Sequence, residues 1–79
     1  MTKMSAQLPG VFYRRPSPDQ DPYVEEGSVV QPGQTLAVIE VMKTFNEVKA
    51  DRAFRISRIL LSDGDEVEAG QDMFEVDEA

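Results

Sequence analysis

The chain has 79 residues, no cysteine, no histidine and a net charge of -7 at pH 7. That length supports one small domain with a thin core, and the missing residue types exclude disulfides, the commonest metal ligand and the commonest neutral-pH base. The acidity argues against a nucleic-acid surface, which needs clustered Lys and Arg. No stretch approaches the ~20 apolar residues of a membrane span, and residues 1–7 lack the apolar run of a signal peptide. The expectation is a cytoplasmic protein that binds neither nucleic acid nor membrane.

Residues 1–8 are expected as a flexible segment ahead of a domain at 9–79. Helical spacing is absent from that domain. Short apolar runs divided by Gly, Pro and acidic residues predict strands at 11–14, 28–30, 35–41, 44–50, 55–61, 66–67 and 73–76. Between the first two lies a run holding Pro16, Pro18 and Pro22. Proline fixes φ and removes a backbone donor, which predicts a stiff protruding loop at about 16–23. Val48 and Ala50 alternate with Glu47 and Lys49, as a half-buried strand requires. Ala37, Ile39, Phe74 and Val76 are expected to point inward, with Met73 and Glu75 on the opposite face from Phe74 and Val76.

A shift of 37 positions superposes one part of the chain on another. Val24 falls on Leu61, Gly27 on Gly64, Val30 on Val67, Gly33 on Gly70, Gln34 on Gln71, Leu36 on Met73, Ile39 on Val76 and Glu40 on Asp77. A repeat of this length predicts two equivalent halves packed as a small β-barrel or sandwich. The repeated glycines fit turn positions with positive φ. Phe12 to Gly27 spans seven residues more than Ile56 to Gly64, and the excess falls in the proline-rich run. Lys43 lies between the halves, so it is expected at one tip with both chain ends at the other.

An exposed hairpin lysine is ordinarily a solvated charge. Lys43 differs in three ways. It sits at the hinge of the repeat, it follows the apolar Met42 where turns prefer polar residues, and Glu40 and Asn46 flank it as polar handles. A nucleophilic lysine needs burial or positive neighbours, whereas Glu40 and Glu47 are acidic. No base or oxyanion set accompanies it. A use open to its amine is attachment: an amide with a cofactor carboxylate, the four-carbon stem lengthening a mobile arm.

The run Glu40-Val41-Met42-Lys43 resembles the attachment motif of biotinyl domains, and the likeness extends from about Pro9 to Asp77. The segment 10–18 is similar to the opening of the carrier subunits of bacterial acetyl-CoA carboxylases, a subfamily with a protruding thumb where the seven extra residues fall. The resemblance implies an all-β flattened barrel of two four-stranded antiparallel sheets with pseudo-two-fold symmetry. It implies biotin joined to Lys43 by a biotin-protein ligase, with Glu40, Val41, Met42 and Thr44 forming the hairpin that the ligase reads. It also implies carboxyl transfer between a biotin carboxylase and a carboxyltransferase acting on an acyl-CoA, most simply acetyl-CoA in fatty acid synthesis. The chain itself would be non-catalytic. The thumb, Ser17, Pro18, Asp19, Gln20, Asp21, Pro22 and Tyr23, would contact the biotin ring. Two positions depart from the family pattern: Thr44 stands where many members have Met, and Phe54 where many have Gly.

Two other readings stay open. A lipoyl domain shares the fold and the lysine, but its motif usually has Asp before the lysine and lacks the thumb. An unmodified docking module would treat Thr44 as a sign of lost ligase recognition. An independent enzyme is disfavoured by the absence of His, Cys and any metal-ligand cluster.

Overall fold

A computed structural model describes residues 2–78. Eight strands run in order: β1 (Thr2–Ser5), β2 (Gly10–Tyr13), β3 (Val29–Val30), β4 (Thr35–Val41), β5 (Thr44–Lys49), β6 (Phe54–Ile59), β7 (Asp65–Val67) and β8 (Asp72–Glu78). They form two four-stranded antiparallel sheets, ordered β1-β8-β6-β3 and β5-β4-β2-β7. Among the described residues no helix is long and apolar enough to cross a membrane.

The halves are equivalent strand for strand. Phe12 pairs with Ile39 as Ile56 pairs with Val76, and Gly10 pairs with Val67 as Phe54 pairs with Val30. Positions before the proline-rich loop are related by 44 residues and positions after it by 37, so the seven extra residues lie wholly within that loop. Asn46 opposes Ile39 as Thr2 opposes Val76. The pairing of β1 with β8 therefore sets the chain ends at the place equivalent to the turn holding Lys43.

Part of the N-terminal segment expected at 1–8 belongs to a sheet. Thr2–Ser5 is a strand on the edge of a sheet, and Ala6 is buried, donating its N–H to Gln71 O at 2.8 Å and accepting from Gly70 N at 2.8 Å. Ala50 repeats this arrangement with Gln34 and Gly33 at 2.9 and 2.8 Å. Exposed edge strands are short and polar in natural sheets, and only Met4 of β1 is even half-buried.

Met73 also departs from expectation, being buried together with Phe74. The register of β8 against β1 slips there: Met4 pairs with Phe74 and Ser5 with Asp72, leaving Met73 unopposed. Leu36 is skipped in the same way where β4 meets β5. A β-bulge breaks strict alternation, so each half buries two consecutive apolar side chains. The expected inward residues Ala37, Ile39, Phe74 and Val76 are buried, and among the described residues the core is wholly apolar. Phe12 and Phe74 meet edge to face, with centroids 5.9 Å apart.

One turn recurs four times. In 25–28, 31–34, 62–65 and 68–71 the fourth residue donates its N–H to the first carbonyl and caps the first N–H with its side chain. The third residue is Gly27, Gly33, Gly64 or Gly70, with φ between 86° and 94°. Positive φ at that position defines a type II turn and selects glycine. Gly10 is required for another reason: a Cβ there would lie 2.5 Å from Glu40 O and 2.7 Å from Ile39 Cγ2.

Candidate functional site

Val41 and Thr44 pair across a two-residue turn made by Met42 and Lys43. Both have positive φ, 50° and 69°. This is the two-residue hairpin whose twist matches antiparallel strands, and it favours Asn-Gly. Met and Lys in left-handed conformation cost about 1 kcal/mol each. The turn thus spends stability to present these two side chains. Met42 is 93% exposed. Lys43 is exposed too, and among the described residues its amine has no hydrogen bond or ion pair.

The hairpin is braced from behind. Asn46 Nδ2 donates to Ile39 O and Thr44 O, both at 3.3 Å. Asn46, expected as an outward handle, is therefore spent on holding the turn. Glu40 and Val41 are half-buried at the end of β4, and Thr44 is exposed at the start of β5.

The proline-rich loop forms no strand between Arg14 and Ser28. Its base is pinched where Tyr23 N donates to Arg14 O at 2.8 Å. Arg14 Nη2 reaches the Val24 carbonyl at 3.3 Å and Glu25 Oε1 at 2.8 Å. A turn at its apex closes from Gln20 N to Ser17 O, 3.1 Å, and Ser17 Oγ donates to Asp19 Oδ1 at 2.7 Å. The bond from Ser17, with one from its own backbone N–H, holds the Asp19 carboxyl below the usual range.

Between loop and hairpin lies a cleft of about 540 Å³. Ser17 and Pro18 line it from the loop and Glu40 from β4. Asp19, Gln20, Asp21, Pro22 and Tyr23 do not line it. Sequence reasoning passed over Tyr13, Arg15, Phe45 and Asp63, which do. Two carried a signal. Phe45 is in phase with the outward Glu47 and Lys49 and is 62% exposed, and Tyr13 is out of phase with the buried Phe12. Large apolar side chains on an outward face mark a contact surface. Asp63 carried no such mark.

The sequence pattern of the family described as "Biotin-requiring enzyme" matches residues 2–76. The chain belongs to this biotinyl and lipoyl attachment family. Within it, the chain is 34% identical over 76 residues to the biotin carboxyl carrier protein of acetyl-CoA carboxylase from Nostoc, covering 96% of this chain and 42% of that protein. It is 42% identical over 73 residues to the protein of that name from Streptococcus pyogenes, covering 92% and 44%. Against that from Haemophilus influenzae it is 44% identical over 59 residues, covering 75% and 38%. The chain thus spans less than half the length of these curated relatives. Among solved structures it is similar to a single-chain, multi-domain long-chain acyl-CoA carboxylase, with a TM-score of 0.84 and 26% identity over 99% of this chain and 7% of that one.

An attachment amine must be sterically open and unpaired, and Lys43 is exposed with no hydrogen bond or ion pair among the described residues.

Proposed function

We propose that this chain is the carrier domain of a biotin-dependent acyl-CoA carboxylase, with biotin joined to Lys43 Nζ. The observation that carries this reading is the turn at Met42 and Lys43: strained, exposed and with a lysine amine that has no bond among the described residues, in a chain whose relatives are curated as biotin carboxyl carrier proteins. The amine loses a proton and forms an amide with the biotin carboxylate, one water equivalent being lost at the expense of ATP in a biotin-protein ligase. Bound there, biotin supplies a ureido nitrogen that accepts and releases a carboxyl group.

The chain's own residues do the positioning. The rigid hairpin fixes the root of the arm, and the lysine stem lets it reach the sites of a biotin carboxylase and a carboxyltransferase. Tethering raises the effective concentration of the ring at both. Phe45, Tyr13, Pro16 and Pro18 offer an apolar rest beside the hairpin, with Ser17 of the thumb at its rim. We assign the acceptor as acetyl-CoA, from the names of the relatives, and the setting as a multisubunit carboxylase of the cytoplasm. Glu40, Val41, Met42 and Thr44 form the surface that the ligase reads.

Intact-mass measurement and peptide mapping after incubation with biotin, ATP and a biotin-protein ligase test the assignment. One biotin adduct on Lys43 is expected. A lipoyl adduct in cells, or no adduct at all, sinks it.

A further inference from the structure

Beside the Tyr23–Arg14 pinch and the Arg14 contacts to Val24 and Glu25, a carboxylate from the other half of the chain also reaches the root of the thumb. Asp63 Oδ1 accepts the N–H of Arg14, the last residue before the loop turns away. Asp63 Oδ2 lies 3.1 Å from Arg15 Nε, close enough for an ion pair but not aligned as a hydrogen bond. Arg15 and Asp63 both line the cleft beside the lysine hairpin.

The repeat explains how this contact arose. Asp63 is the second residue of the turn 62–65, and Glu26 holds the same place in 25–28. Glu26 Oε2 accepts Ile59 N at 3.0 Å, where β6 ends. Each half thus caps the end of a strand with an acidic side chain from the turn of the other half. On the Glu26 side only residues 59 and 60 separate Arg58 from Leu61. On the Asp63 side the equivalent gap, from Arg14 to Val24, holds the thumb.

Asp63 is not needed by its own turn. That turn is closed by Asp65, whose N–H donates to Ser62 O and whose carboxylate caps Ser62 N at 2.8 Å. We propose that Asp63 is a positioning residue, a latch that fixes the root of the thumb and thereby holds the cleft in register with the arm on Lys43. This rests on the carrier reading for the arm, though the latch itself is a property of the bare chain.

The test compares the whole chain with Asp63→Ala, Asp63→Asn and the control Glu26→Ala. Asn keeps an acceptor for Arg14 N–H but loses the charge facing Arg15. In the unmodified proteins, ¹⁵N heteronuclear NOEs at Ser17, Asp19, Gln20 and Asp21 report the order of the thumb apex. After ligase treatment, amide shift changes at Tyr13 and Phe45 report the arm in the cleft, and mass confirms the adduct. Asp63→Ala is expected to lower the NOEs and to cut the biotin-induced shifts roughly threefold to tenfold, the range for losing one hydrogen bond and one half-exposed ion pair. Asp63→Asn should fall between, and Glu26→Ala should leave both readouts unchanged. Full thumb order in Asp63→Ala overturns the latch. So does biotin on Lys43 of the parent chain with no shift at Tyr13 or Phe45. Absence of any adduct on the parent chain defeats the carrier reading instead, and the NOEs still decide the latch.

Discussion

Ala6 and Ala50 are one position used twice: each is buried, each donates to a glutamine carbonyl and each accepts from the glycine preceding that glutamine, Gly70 and Gly33 respectively. Around this pair the barrel is built from two copies of one plan, and the copies differ at the hairpin and the thumb. The hairpin at Lys43 has no counterpart except the chain ends, and the thumb has none except residues 59 and 60.

The turn at Met42 and Lys43 should be improvable as a turn. Replacing the pair by Asn-Gly relieves two left-handed side chains and should raise stability by about 1 kcal/mol, read from urea unfolding. Lys43→Ala alone should change it by no more than ~0.5 kcal/mol. Both variants should accept no biotin. A large loss of stability in Lys43→Ala would reveal a structural role for the amine.

Removing residues 16–22 should leave a folded barrel. The deletion joins Arg15 to Tyr23, a two-residue connection like that of 59 and 60 in the other half. Amide spectra should keep the signals of β4, β5 and β8, while carboxyl transfer in a reconstituted carboxylase should slow. Turnover equal to the parent would make the thumb a passive insertion.

Much of this was legible from residue types. The offset of 37 exposed the duplication, and the inward set Ala37, Ile39, Phe74 and Val76 followed from alternation. Strand β1 was not legible, because an edge strand with one half-buried side chain carries no period. Its trace was the second offset: Met4 and Ala6 stand 44 residues before Val48 and Ala50. Met73 was misassigned since alternation assumes an unbroken ladder, and a bulge is set by pairing between strands. The latch at Asp63 depends on a contact between distant parts of the chain, which no local pattern encodes.

Phe74→Ala removes one ring of the Phe12–Phe74 pair, both fully buried in the apolar core. The cost should be about 3–5 kcal/mol, comparable with the whole stability of a domain this small. Circular dichroism at 25 °C should show a largely unfolded chain, and Phe12→Leu should retain a shifted but cooperative urea transition.

Gly10→Ala should destabilise by about 1–3 kcal/mol through overpacking against Glu40 O and Ile39. The equivalent Phe54 is fully buried, so Phe54→Gly would instead open a cavity. Opposite substitutions at matching sites should thus both lower the urea midpoint, and tolerance of Ala at position 10 would contradict the close approach.

Acid should loosen the thumb apex. The Asp19 carboxyl sits below its ordinary value because Ser17 donates to it. The folded value being depressed, its contribution is present above the unfolded carboxylate value and is lost as pH falls through the folded one. A carbon-detected titration should place Asp19 below an ordinary aspartate, and Ser17→Ala should return it upward. An unchanged titration in Ser17→Ala would remove the hydrogen bond as the cause.

The equivalence between the lysine turn and the meeting point of β1 with β8 means the barrel has no intrinsic beginning. A polypeptide cut between Met42 and Lys43, with residue 79 spliced to residue 1, would trace the same eight strands with its free amino and carboxyl groups at the former apex. Opening the circle where β1 meets β8 leaves the turn at Lys43 as its closed pole.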